Sequence, residues 1–437
     1  MEALASRYPS EDRVQPDLER IQLLCDVLGD PQRSFQAIHL TGTNGKTSTA
    51  RMVDGLLREF GLRSGRFTSP HLSLVNERIV LDGEPLPEER FSAVYDEVSP
   101  YVELVDAKSS HPMTFFEVLT GMAFAAFADA PVDVAVLEVG LGGRWDATNV
   151  VDAQTCVVLP IGLDHMQYLG STLGEIAAEK AGIIHEGATV VLAAQPPEAA
   201  EVLLSHCVEV GATVAREGLE FGVVDRRTAV GGQLVTLQGL NARYEELFLP
   251  LHGAHQATNA AAALAAVEAF LGHGRPLDGE LLRAGFAAVT SPGRLEVVRS
   301  SPTVIVDAAH NPHGMAATVE ALADAFAFTH LVAVVACMSD KDVRTMLQVL
   351  EPAVASLVVT RNSSPRAMPV DVLRQVADEV FGEGRVHVED RLDDALDAAV
   401  AIVDSESIAG GGPGGVGVLV TGSVVTAGEA RTLLRAR

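Results

Sequence analysis

The chain has 437 residues, 48% of them hydrophobic and 21% charged, which excludes a disordered or fibrous protein and leaves length for two or three domains. A formal net charge of −26 excludes a general binder of nucleic acid or of membrane surfaces, because each needs a basic face. Cys25, Cys156, Cys207 and Cys337 lack metal-site spacing, the stretch 1–30 is too charged for a signal peptide, and no apolar run approaches the ~20 residues of a membrane span. The expectation is a soluble, cytoplasmic protein.

Leu18, Ile21, Leu24 and Leu28 predict a short amphipathic helix over residues 17–29, with Gly29 as its stop. The apolar run Ile38-His39-Leu40 then enters Thr41-Gly42-Thr43-Asn44-Gly45-Lys46-Thr47-Ser48, after which Ala50, Val53, Leu57 and Phe60 repeat at helical spacing up to Gly61. Strand, glycine turn, Lys-Thr and helix in that order present bare backbone N–H groups and a helix N-terminus to phosphate. Lys46 adds a cation and Thr47 a hydroxyl suited to Mg²⁺. The usual pattern carries a further glycine where this chain has Leu40, so an ordinary glycine turn capping a helix stays open as the alternative.

A short strand at Arg66-Phe67 gives way to the polar turn Thr68-Ser69-Pro70-His71. A hairpin around Asp82-Gly83, a helix near Phe91–Leu104 and an alanine-rich helix over 114–128 come next. Val132–Val139 and Cys156–Leu159 read as buried parallel strands, with a helix at Leu173–Ile184 and a strand at Thr189–Ala193 continuing the alternation. Residues 211–251 suggest hairpins decorating this domain, and Ala254–Leu271 a helix with His255, Gln256 and Asn259 in its first turns. Ser291-Pro292-Gly293 divides residues 1–290 from 291–437. In the second part strands at Thr303–Val306, Leu331–Cys337, Leu357–Thr360, Val386–Val388 and Val416–Val420 alternate with helices, among them Gly314–Ala327 and Val343–Leu350. Gly410–Gly415 is a low-complexity loop. The expected class is α/β: a P-loop-type, mostly parallel N-terminal sheet domain, a smaller Rossmann-like C-terminal domain, and a site in the cleft between them.

In an open parallel sheet, ligands bind beyond the carboxyl ends of the strands. The phosphate loop, Glu138 and His165 each come directly after an apolar strand and so belong to one edge, where Glu138, His165, Ser69 and Thr47 offer groups suited to a divalent cation. Taken singly, Glu138 also reads as a salt-bridged strand end and His165 as a loop histidine. Lys180 has Ile176, Ala177, Ile183 and Ile184 at helical spacing and no acid among them. It either snorkels to water or loses its proton by desolvation, and a neutral amine can take up CO₂ as a carbamate. In the second domain, Asp307 and His310 end a strand, and Arg294 lies just after the Ser-Pro-Gly turn. Arg294 reads as a cation for the gap or as a surface charge, and His310 as a site residue or a helix cap. No nucleophile-elbow arrangement is present, and direct phosphoryl transfer needs none.

Taken together, Gly42-Thr43-Asn44-Gly45-Lys46-Thr47, Thr68–Leu72 with Asn76–Ile79, Thr114-Phe115-Phe116-Glu117, Glu138–Arg144, Asp146–Asn149, Asp164-His165, Glu179–Gly182, Pro292–Arg294 and Asp307–Pro312 resemble the motifs of folylpolyglutamate synthase. That enzyme is often bifunctional with dihydrofolate synthase and belongs to the Mur-ligase-like amide ligases. The resemblance implies an ATP-dependent ligase that activates a folate carboxylate as an acyl phosphate and joins it to L-glutamate. It implies ATP, one or two Mg²⁺ ions and a carbamate on Lys180 as cofactors. Reduced folates, dihydropteroate and glutamate would be substrates, with no nucleic-acid or membrane partner and a monomeric enzyme. By position, Thr43, Asn44, Gly45, Lys46 and Thr47 would hold phosphates, and Ser69, Glu138 and His165 would hold Mg²⁺. Asn259 would meet the adenine, with Arg294 and Asp307 on the nucleotide and His310 beside them. Thr114, Phe115, Phe116, Glu117, Trp145, Asp146 and Ala147 would face the pterin. Two departures stand out: Thr47 replaces a glycine of many members, and Arg13-Val14-Gln15-Pro16 does not reproduce a dihydropteroate-binding motif. A Mur ligase for a UDP-muramyl precursor would carry a substrate domain before the loop, where 41 residues precede Gly42. A nucleotide-binding switch would lack ligase chemistry altogether.

Overall fold

Strands apolar at nearly every position need cover on both faces, and helices between parallel strands provide it. The computed structural model describes residues 17–272, 274–408 and 415–435; Arg13–Pro16 and Gly410–Gly414 lie outside them. In chain order the strands of the first sheet are β1 (Gln36–Thr41), β2 (Ser64–Phe67), β3 (Ile79–Leu81), β4 (Glu84–Pro85), β5 (Val134–Glu138), β6 (Thr155–Val158), β7 (Thr189–Leu192) and β8 (Thr213–Arg216). They lie in the order β4-β3-β2-β5-β1-β6-β7-β8. From β2 to β8 every neighbouring pair is parallel, and the β3–β4 hairpin closes one edge antiparallel.

One face is covered by helices that include Glu88–Lys108, Phe115–Asp129 and Leu173–Ala181. The other is covered by Lys46–Glu59, Ala254–Leu271 and Gly279–Ala287, with a three-stranded antiparallel sheet of β9 (Gly222–Ala229), β10 (Gly232–Gln238) and β11 (Arg243–Leu249). The hairpin reading of 211–251 therefore needs correction at its start. Residues 213–216 form the parallel edge strand β8, because the helix Pro197–Glu209 returns the chain to the amino end of the main sheet. The helix expected to reach Ile184 stops at Ala181, where Gly182 packs so closely on Arg144 that no Cβ would fit.

The second sheet contains β12 (Glu296–Ser300), β13 (Thr303–Val306), β14 (His330–Val335), β15 (Ser356–Val359), β16 (Val386–Val388) and β17 (Val416–Thr421), in the order β12-β13-β17-β14-β15-β16. Only the edge strand β12, absent from the sequence reading, runs antiparallel among these described strands. Its core lies between the helices Pro312–Ala325, Val343–Leu350 and Val370–Phe381 on one face and Leu392–Ile408 and Val424–Arg435 on the other.

The two halves meet without slack at Gly428, where a Cβ would overlap the Leu72 carbonyl oxygen of the first domain. Gly428→Ala is expected to destabilise the protein by about 1–3 kcal/mol through overpacking. Gly384→Ala, with no heavy atom within 4 Å of the added carbon, serves as control. Equal denaturation midpoints for the two variants would remove this account of the interface.

Candidate active site

The strand order brings Ser69 (after β2), Glu138 (end of β5), the loop 42–45 (after β1) and Asp164-His165 (after β6) to one rim in that sequence. Leu40 pairs with Glu138, so the carboxylate ends its strand beside the start of the loop. Leu40 itself is fully buried within β1, which is why the loop opens only at Gly42. Gly45 takes φ +88° and a Cβ there would lie 2.5 Å from Asn259 Oδ1, so only glycine fits between the loop and the helix Ala254–Leu271.

Lys46 opens the helix Lys46–Glu59 and donates to the carbonyls of Gly42 (3.0 Å) and Thr43 (3.2 Å). Lys180 donates to the same Gly42 carbonyl at 2.9 Å. It does not snorkel: it is 4% exposed, and burial, helped by the nearby Lys46 charge, brings its ammonium down to about 7. Burial lowers Lys46 as well, against the pull of Glu138. Glu138 is itself buried, which raises its carboxyl above the usual range, against Lys46 and hydrogen bonds from Thr47 Oγ1 (3.0 and 2.9 Å) and the Ser69 N–H (3.3 Å).

His165 sits in the left-handed region (φ 50°), and burial drops its ring to about 4. Its neighbour Asp164 bonds across the cleft to Lys341 Nζ (2.8 Å) and Asn311 Nδ2 (3.1 Å), and against its burial the nearby His165, Lys341 and His310 hold its carboxyl well below the usual range. Asn311 also exchanges amide hydrogen bonds with Asn44 of the phosphate loop (3.4 and 3.2 Å) while capping the helix Pro312–Ala325. His310 Nδ1 lies 3.1 Å from the Ala308 carbonyl, which can only accept, so Nδ1 carries the hydrogen and Nε2 is left as an acceptor. Burial and Lys341 lower that ring to about 4, so it is neutral at pH 7. Asp307 is tied down by Thr318 Oγ1 (2.7 Å) and the N–H groups of Leu295 and Ala309.

A cleft of about 950 Å³ runs between the domains, and every residue expected at the site except Phe115 lines it. Phe115 is set back behind Arg78, a lining residue whose guanidinium lies 5.4 Å from its ring centre, while Phe116 packs against Gly140. Thr114 and Glu117 reach the wall as a helix-capping box, with Glu117 paired to the buried Arg20 at 2.9 Å. The sequence reading missed Lys341 as a site residue. It lies after β14, so the strand-end rule used for Glu138 and Asp307 applied equally to it. Asp164 and Asn311 were seen as motif members but given no role, since their partners lie 147 and 177 positions away.

Comparison with known proteins gives a consistent picture. The Mur ligase middle domain family matches residues 40–267, and the Mur ligase, glutamate ligase domain family matches residues 293–424. A dihydrofolate synthase/folylpolyglutamate synthase of Mycobacterium tuberculosis is 52% identical over 98% of this chain and 92% of its own length. The Mycobacterium tuberculosis folylpolyglutamate synthase complexed with ADP superposes with a TM-score of 0.95 at 52% identity, over 99% and 97% of the two chains. The Escherichia coli enzyme FolC in complex with DHPP and ADP gives 0.86 at 30% identity, over 100% and 97%.

Proton occupancy at Lys180 is directly measurable. Its amine is expected to be charged below pH 7 and neutral above it, whereas exposed lysines stay charged to above pH 10. In ¹³C-lysine NMR, with Lys180→Arg for assignment, a resonance still that of an ammonium at pH 9 would contradict the buried-amine account.

Proposed function

This chain belongs to the dihydrofolate synthase/folylpolyglutamate synthase family of Mur ligases, and on that premise we propose how its cleft joins L-glutamate to a folate. It is an ATP-dependent acid–amino-acid ligase. A folate carboxylate oxygen attacks the γ-phosphorus and ADP leaves, giving an acyl phosphate. The glutamate amine then attacks the acyl carbon, phosphate departs, and the amine gives up a proton. Dihydropteroate would enter the same cleft for its first glutamate.

The supporting observation is that the phosphate loop, Glu138 and the Asp164–Lys341 contact share one cleft built from both domains. Backbone N–H groups of residues 44–47 and Lys46 would hold the phosphates beside Thr43, whose own N–H donates to the Pro160 carbonyl (3.0 Å), and Arg294 would bring charge from the second domain. Asn259, packed on Gly45, would border the adenine. A buried carboxylate with two neighbouring hydroxyl residues is a hard-oxygen set suited to Mg²⁺, so Glu138, Thr47 and Ser69, with His165 in the same wall, would hold it. Among the described residues no three acidic, histidine or cysteine groups form a cage, in keeping with an ion that retains water and phosphate oxygens. The ion supplies neutralisation of phosphate charge when bound. Lys180, as a neutral amine, would add to CO₂ with loss of a proton, giving a carbamate. Lys341 would meet a glutamate carboxylate, His310 Nε2 would accept from its amine, and Asp307 would fix the strand end that presents His310. The folate would lie along Thr114, Phe116, Glu117 and Trp145–Ala147. Residues 291–293 would act as the hinge between the two halves.

ADP release measured with tetrahydrofolate, dihydropteroate or a UDP-muramyl nucleotide, each with and without glutamate, tests the reading. Turnover is expected only with a pteridine substrate and glutamate together; hydrolysis indifferent to both would indicate a switch, and response to the muramyl compound a Mur ligase. Lys46→Ala should cut turnover by on the order of 10²–10³-fold, and near-normal turnover would refute the loop's role. With ¹³CO₂, a carbamate signal is expected that strengthens as pH rises through 7 and is missing from Lys180→Arg.

A further inference from the structure

Behind the wall assigned above to the folate lies a buried chain of hydrogen bonds that the catalytic account does not use. His39 is wholly buried on β1, between Ile38 and Leu40, where an apolar residue would suit the surroundings. Its Nε2 lies 2.7 Å from Thr148 Oγ1, and that hydroxyl donates at 2.5 Å to Asp146 Oδ1. The same carboxylate accepts from the N–H groups of Thr148 (3.0 Å) and Leu141 (2.9 Å), so it ties the two ends of the turn carrying Trp145. Burial raises the Asp146 carboxyl, and the hydrogen bonds from the Thr148 hydroxyl and the N–H groups of Leu141, Thr148 and Gly140 oppose it. As the ionised acceptor at which those donors are aimed, it takes the Thr148 proton, and the lone pair of that hydroxyl faces His39. His39 must therefore carry its hydrogen on Nε2. Its Nδ1 is buried without a partner, an unfavourable arrangement that an apolar residue would avoid. Burial also drops the ring to about 3, so the donor persists across the working pH range.

We propose that His39 is a positioning residue: through Thr148 it fixes Asp146, and with it the 141–147 turn, in the geometry that admits the folate. This rests on the folate reading of that wall. His39→Leu is expected to raise the folate KM roughly tenfold, as a shifted contact surface would, with kcat and the ATP KM little changed. His39→Gln, which keeps a neutral N–H donor, should restore most of the loss. Thr148→Val should reproduce it, and His39→Leu should add nothing on top of Thr148→Val. ¹⁵N NMR of the wild-type ring should show the Nε2–H tautomer. An Nδ1–H tautomer, or an unchanged folate KM in folded His39→Leu, would overturn the proposal. A rise confined to the KM of ATP or glutamate would overturn the folate reading of the wall and this inference with it, although the tautomer would still report the relay. Where His39→Leu fails to fold, Thr148→Val against Thr148→Ser decides the same question.

Discussion

Parallel pairing of β1 with β5 on one side and β6 on the other decides where every reactive group of the first domain lies. Parallel neighbours end at the same rim, so the loops leaving their carboxyl ends face a common space. The register Leu40–Glu138 brings a buried carboxylate level with the mouth of the phosphate loop, close enough for Thr47 to donate to both its oxygens. A one-strand change in sheet order would separate groups that now share a wall.

Charge is the second constraint. A chain of net charge −26 has to attract a polyanion with a few placed cations, and it does so by burying them. Lys46 and Lys180 both reach the Gly42 carbonyl, so two ammonium groups compete within one poorly solvated pocket. Burial lowers both, bringing Lys180 to about 7, while Lys46 also feels the opposing charge of Glu138. Asp164 shows the converse: close cations hold it ionised in spite of burial. Opposite environments within one cleft thus give like residue types different chemistry.

The second domain completes what the first cannot. Asn311 and Lys341 bond to Asn44 and Asp164 across the gap, and Arg226 meets Asp324 at 2.6 Å further along the same interface. These are polar contacts that can part and re-form, unlike the glycine-tight packing of Gly428 on Leu72. The interface thus combines glycine-tight seats, Gly428 on Leu72 and Gly253 on Ala321, and a His252–Phe326 ring contact with polar pairs that span the cleft.

The sequence by itself determined the α/β class, the two alternating series of strands and helices, the phosphate loop and most strand-end residues, because these come from local hydrophobic period and glycine placement. Thr114 and Glu117 carry the spacing of a capping box, a local signal that the sequence reading of a helix over 114–128 left unused. Tertiary structure alone decided that Phe116 and not Phe115 faces the cleft, that residues 213–216 join the main sheet, that Lys180 is buried and not snorkelled, and that Lys341 reaches Asp164 and His39 reaches Asp146. The physical reason is common to all of these. Burial, pairing and proton placement depend on which distant strand or helix packs alongside, and nearest-neighbour spacing carries no record of that.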